Sequence, residues 1–173
     1  RSRAEVVLEL KGLVRNGELT EEGVAMTRDL LLFVPSLPKI QRDLYLLLMG
    51  KNVSVAVEMV LIRDGMVYLA WRKDKFFTGW HVPGTYISPK ETTLQSVQRC
   101  ANREVFGIEI TTAEVIGVVN HPDSPRFHDF CALTLCEFHG EINETETGRW
   151  FHEWPDDLIE IHRPYKEIID RHR

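Results

Sequence analysis

Disulfide chemistry, membrane spans and strong positive charge are all missing from this chain, and each absence removes a class of function. Its three cysteines, Cys100, Cys131 and Cys136, form no CxxC pair and cannot all pair internally. A reducing compartment is the simpler reading, and a cytoplasmic location the expectation. No apolar run is long enough to span a bilayer and no charged-then-apolar leader opens the chain, so no membrane association is expected. The first residue is not methionine, which leaves targeting open. The formal net charge of −5 does not by itself attract nucleic acid or anionic lipid, and no nucleic-acid partner is expected. Repeats and low-complexity tracts are absent too. What is left, in 173 residues, is a globular domain with a small appendage and enough chain for a sizeable core.

Taken in order, the first fifty residues read as helical. Val6, Val7, Leu10, Leu13 and Val14 make one apolar face, and Asn16-Gly17 breaks it. Thr20 before Glu21-Glu22 has the form of an N-cap opening a second helix to about Leu32. Pro35 and Pro38 punctuate, and Leu44, Leu46, Leu47 and Leu48 suggest a third helical stretch ending at Gly50. The phrase Leu19-Thr20-Glu21-Glu22-Gly23 resembles the tail of some winged-helix modules, but too little chain precedes it for a complete one. A helical cap or a homodimer contact through these apolar faces is the expectation. The division predicted is a helical extension over 1–50 and a second domain over 51–173.

From Val53 the texture changes to strands. Residues 53–61 are apolar and β-branched, Asp64-Gly65 is a hairpin signal, and residues 66–71 return as a second strand. Further strands are predicted over 82–87, 108–119, 129–138 and 149–151, with a helix at about 91–106 between the first two. Pro155 is read as opening a terminal helix whose Leu158, Ile159, Ile161, Ile168 and Ile169 face inward. Strands framing helices in this order predict an α/β sandwich.

The chemistry is concentrated between Gly79 and Ile108. Gly84, Glu91, Arg99, Glu104 and Gly107-Ile108 stand in an order that resembles a worn Nudix box, whose signature is G-x5-E-x7-R-E-U-x-E-E-x-G-U with U a bulky aliphatic residue. Glu91 and the closing Gly107-Ile108 each come one residue late. Cys100 stands at the first helix carboxylate, Ala101 at the aliphatic slot and Arg103 at the next glutamate, while Glu104 keeps the last. A second register anchored on Gly107 would put Val105 there instead. The first is preferred because Val97, Ala101 and Val105 then recur at four-residue spacing as a buried stripe, with Glu104 at its edge.

The resemblance implies an α/β/α sandwich with a mixed sheet. It also implies a Mg²⁺- or Mn²⁺-dependent hydrolase of a nucleoside diphosphate linked to another group; the alternative is a catalytically silent binder of a nucleotide or a protein partner. Residues 61–72 and 79–84 are similar to the GDP-mannose mannosyl hydrolase branch. By that likeness Arg72 contacts the diphosphate, the Gly84 carbonyl and Glu104 are metal ligands, and Glu144 falls near a further ligand. Thr85 replaces the second glycine of the usual pair, Tyr86 stands where that branch has an arginine, and no histidine accompanies Arg149 where the branch has its base. Chemically, Arg99 and Arg103 offer bidentate guanidinium groups for phosphate. Glu144 and Glu146 offer carboxylates to complete a metal shell or polarise water, and could equally be an acidic surface turn. Glu91 fits a first-turn charge as well as a ligand. Cys100 reads as a small buried hydrophobe. His121 and His128, around Pro122-Asp123-Ser124-Pro125, read as acid, base or solvated loop groups. Trp71, Trp80 and Trp150 can stack a base, with core packing the simpler reading.

Overall fold

The computed structural model describes residues 12–16, 18–33, 50 and 52–173. The chain divides into two compact units, Arg1–Tyr45 and Leu46–Arg173. In the first, β1 (Val14–Arg15) and β2 (Glu18–Leu19) form an antiparallel ribbon, followed by α1 (Glu21–Phe33). Val14 therefore sits in a strand, not on the helical face expected for it. Asn16 takes φ 54°, a conformation asparagine tolerates, and so turns the chain back on itself. The Thr20 cap is formed, its Oγ1 accepting from the Gly23 N–H at 3.2 Å. The other predicted helical stretches, around residues 6–10 and 44–48, and the dimer contact built on them, lie outside the described residues.

The second unit holds two sheets. A mixed sheet runs in the order β7 (Gly84–Tyr86), β3 (Ser54–Val60), β9 (Asp129–Gly140), β8 (Ile108–His121), with β3 and β9 parallel and the other pairs antiparallel. The second sheet is antiparallel and is built on β5 (Met66–Lys73), which pairs with β4 (Ile62–Arg63), β6 (Thr78–His81) and β10 (Gly148–Phe151). Asp64 and Gly65 adopt φ 51° and 72°, the two left-handed residues that a tight hairpin needs.

Side chains alternate across β3 and so feed two cores. Val57 and Met59 pack with Val97, Cys100 and Ala101 of α2 (Thr93–Glu104) and with its C-cap Val105, confirming the predicted stripe. Ala56 and Val60 face the other way, toward Tyr165 and Ile169 of α3 (Tyr165–Asp170). Helices thus cover both faces of a mixed sheet in an α/β/α sandwich.

Two expected elements take a different form. The strand predicted over 82–87 is shortened to Gly84–Tyr86, which pairs with β3; a separate strand, Thr78–His81, pairs with β5, so the chain changes sheets at Val82-Pro83. Pro83 has no N–H to give a ladder, and that of Val82 goes to His162 Nδ1 at 3.0 Å. The terminal helix begins at Tyr165, not at Pro155. Residues 157–159 run alongside β6 instead, with Trp80 N–H bound to Asp157 O and Ile159 N–H to Trp80 O, which removes those groups from any helix. Leu158 and Ile159 are still buried, as their apolar character requires.

Candidate active site

The helix α2 is set by its own first turn. Thr92 caps it and exchanges side-chain and backbone hydrogen bonds with Gln95 in a capping box. Glu91, just before the cap, accepts from Ser88 N–H and Ser96 Oγ and takes Arg99 in a two-pronged pair, at 2.8 Å to Nε and 2.7 Å to Nη2. The Arg99 guanidinium holds the Glu91 carboxyl well below the usual carboxylate range. The other Arg99 bonds, both 2.8 Å, go to Thr85 Oγ1 and the Tyr86 carbonyl. Arg99, expected to bind phosphate, ties the loop that follows β7 to the helix, and Glu91 is its anchor. At the far end of α2 the extra residue of the box is absorbed by Phe106, which takes φ 63° and stays two-thirds exposed (66%).

One turn below Arg99, two of the three residues expected to meet a metal, Gly84 and Glu104, come together around a cation that the chain itself supplies. Arg103 Nη2 lies 2.7 Å from Glu104 Oε1 and 3.2 Å from the Gly84 carbonyl oxygen. The other Glu104 oxygen faces His81 Nε2 at 3.9 Å. His81 is 4% exposed and gives Nδ1–H to the Val82 carbonyl at 2.8 Å, so Nε2 carries the lone pair. Burial, reinforced by Arg72, pushes the His81 imidazole down to about 3, and it is neutral.

Glu58 completes the cluster. It is the only carboxylate of β3, 7% exposed, and lies opposite Gly84 in the β3–β7 ladder. A Cβ at position 84 would stand 2.2 Å from Glu58 Oε2, so the glycine is what lets the carboxyl pack there. Burial, with the charge of Glu104 behind it, pushes Glu58 up to about 8, and at neutral pH it holds its proton.

Arg72, Asp74, His81, Arg103, Glu104 and Phe106 line one cleft of about 350 Å³. Arg72, at the end of β5, pairs with Asp74 at 3.2 Å, and Asp74 in turn accepts from the Phe76 and Phe77 N–H groups that tighten the β5–β6 turn. Glu144 and Glu146 lie in the exposed turn before β10. Glu144 Oε1 accepts the Trp150 N–H at 2.8 Å, a bond that fixes the turn. Burial, with the negative charges of Glu104 and Glu144 behind it, raises the Tyr68 hydroxyl above its ordinary value.

Among the described residues no three His, Cys, Asp or Glu side chains gather as a metal set. The donors that do converge are one carboxylate and one backbone carbonyl, with the Arg103 nitrogen standing in for the cation between them. That set suits Mg²⁺ or Mn²⁺, which use one or two carboxylates and complete their shell with water and phosphate oxygens. It can do so only when Arg103 swings out, and at 54% side-chain exposure this arginine has room to leave.

Glu58, His81 and Asp74 were not legible as members of this cluster. Glu58 did carry a signal, a lone acid in an otherwise apolar strand, but only the register sets it against Gly84. The tryptophans are structural: Trp80 packs edge-on to Trp71 and Phe151, and Trp150 against Tyr68 and Phe138. His121 Nε2 pairs with the Tyr165 hydroxyl at 3.1 Å, and His128 with Asn120 at 2.6 Å.

Comparison with known proteins agrees with this fold. A MutT NUDIX hydrolase from Burkholderia pseudomallei superposes with TM-score 0.59 at 25% identity, over 67% of this chain and 97% of that one. The fold is shared by a NUDIX-family hydrolase from Clostridium perfringens, with TM-score 0.50, 15% identity and coverage of 70% and 99%. It is shared as well by the C-terminal domain of mouse MUTYH, seen in complex with human PCNA, with TM-score 0.55, 14% identity and coverage of 70% and 90%. No curated protein sequence matches the chain. The NUDIX domain family matches residues 52–171, more than half of the sequence, and the protein belongs to that family.

Proposed function

We propose that this Nudix protein hydrolyses a nucleoside diphosphate linked to another moiety, a nucleotide sugar among the candidates, with a divalent ion held at Glu104 and the Gly84 carbonyl. The observation that carries the reading is the convergence of those two oxygens on one cationic nitrogen of Arg103, at 2.7 and 3.2 Å. When bound, Mg²⁺ or Mn²⁺ neutralises diphosphate charge and polarises the bond to be broken. Arg72 provides a guanidinium at the same cleft for a phosphate oxygen. With an ion held at Glu104, the Arg103 guanidinium would be available to a phosphate oxygen. Glu144 keeps its second oxygen, and Glu146 both of its own, to take a proton from attacking water.

A second reading is a silent binder, and the same Arg103–Glu104 pair favours it, since an ion pair at 2.7 Å already neutralises the carboxylate. Phosphate or sugar release from a panel of nucleotide sugars and dinucleotides, with and without Mg²⁺, separates the two. In the hydrolase, Glu104→Gln abolishes the metal-dependent turnover and leaves the fold intact, because it removes charge and keeps shape. Full activity in that variant, or no metal response of the wild type with any substrate, refutes the hydrolase and leaves the binder.

A further inference from the structure

Arg126 has no role in the reading given so far, yet it is set as a binding group. Its guanidinium is held by three aromatic rings, 5.3 Å from the centre of Phe77, 5.6 Å from Tyr86 and 5.9 Å from Phe127. Its Nε is buried and has no hydrogen-bond partner among the described residues, and no carboxylate lies within ion-pair distance of it among them. A cation built into an apolar cradle with an unused donor is costly unless an anion completes it.

Two further observations say where that anion would sit. Arg126 stacks on Phe77, whose N–H binds Asp74 Oδ1, and Asp74 pairs with Arg72 at 3.2 Å, so both guanidinium groups contact the same short turn. Asp74 already accepts from the Phe76 and Phe77 N–H groups, and Asp129, three residues beyond Arg126, from the Tyr86 and Ser124 hydroxyls. The Asp74–Phe77 turn borders both the Glu104 cleft and a second cavity of about 580 Å³, walled by Phe76, Phe77, Asn120, His121, Pro125 and Ile159. Arg126 follows Pro125 in the chain and stacks on Phe77, two residues of that wall.

We propose that Arg126 and Arg72 together form a phosphoryl-binding site between the Glu104 cleft and this second cavity. The guanidinium fork of Arg126 takes two oxygens of one phosphate, and its ring cradle fixes the fork in place before binding. The ligand class follows from the pair: two permanent cations on one short turn select a multiply charged phosphoryl group over a lone carboxylate. The identity of that group as part of a diphosphate rests on the function proposed above; the site itself does not.

The test is metal-free binding of inorganic pyrophosphate in EDTA, by calorimetry, to the full chain and to Arg126→Met and Arg126→Lys, with circular dichroism to verify folding. Wild type binds. Arg126→Met loses about tenfold in affinity, and Arg126→Lys, which keeps the charge without the fork, loses about threefold. A purely structural arginine would lower the melting temperature of both variants and leave affinity unchanged. That result, or no pyrophosphate binding by the wild type, overturns the site. Should the methionine variant not fold, the lysine variant decides alone. Turnover of a nucleotide sugar with pyrophosphate affinity unaffected by either variant sinks the site and leaves the hydrolase. Affinity lost in the variants with no turnover by any form sinks the hydrolase and leaves the site.

Discussion

Replacing Glu58 with glutamine should remove the share of the pH dependence of stability that this carboxyl contributes. The carboxyl is 7% exposed and is raised from an ordinary 4.5 to about 8 by burial and by the charge of Glu104. In the unfolded chain it ionises above 4.5, whereas in the folded protein it keeps its proton until about 8. The folded state therefore binds more protons through that window, and stability falls as pH rises across it, levelling off above about 8. At about 1.4 kcal/mol for each pH unit, the full window sets a ceiling of about 5 kcal/mol. Glutamine has the same shape and no charge, so the variant escapes this loss. Urea unfolding in EDTA at pH 5 and at pH 8.5 reads it directly. The two proteins should match within about 0.5 kcal/mol at pH 5, with the variant ahead by about 2 kcal/mol or more at pH 8.5. A difference that is the same at both pH values would refute the burial argument for Glu58.

Two more outcomes test the same cluster. Arg103→Met removes the cation that sits between Glu104 and the Gly84 carbonyl, so Mn²⁺ should bind at least several-fold more tightly by electron paramagnetic resonance titration; unchanged affinity means the two cations do not share a position. Gly84→Ala places a methyl 2.2 Å from Glu58 Oε2 and should cost about 1–3 kcal/mol of stability, most of it recovered in the background of Glu58→Ala. Simple additivity of the two changes in denaturation would place the strain elsewhere, for instance at the Val57 carbonyl 3.0 Å away.

By itself the sequence determined what neighbours along the chain determine. Thr92 and Gln95 cap α2, its stripe of Val97, Ala101 and Val105 is buried, and Asp64-Gly65 turns a hairpin, because capping, periodicity and turn geometry all act within a few residues. The worn box likewise pointed to the Nudix fold through local spacing alone. Tertiary structure decided which polar groups meet. Glu58 reaches Gly84 only through the β3–β7 register, Arg99 closes on Glu91 and Tyr86 because the loop folds over the helix, and Arg103 settles on the carbonyl of a residue 19 positions earlier. The change of sheets at Val82-Pro83 depends on a histidine 80 residues away, His162, accepting the Val82 N–H. Arg126 is the furthest from legibility: nothing near it in sequence tells that Phe77 and Tyr86 will enclose its guanidinium. The fate of a buried polar group depends on the partner and the dielectric around it, and both are set by chain segments that meet only once the sheets have packed.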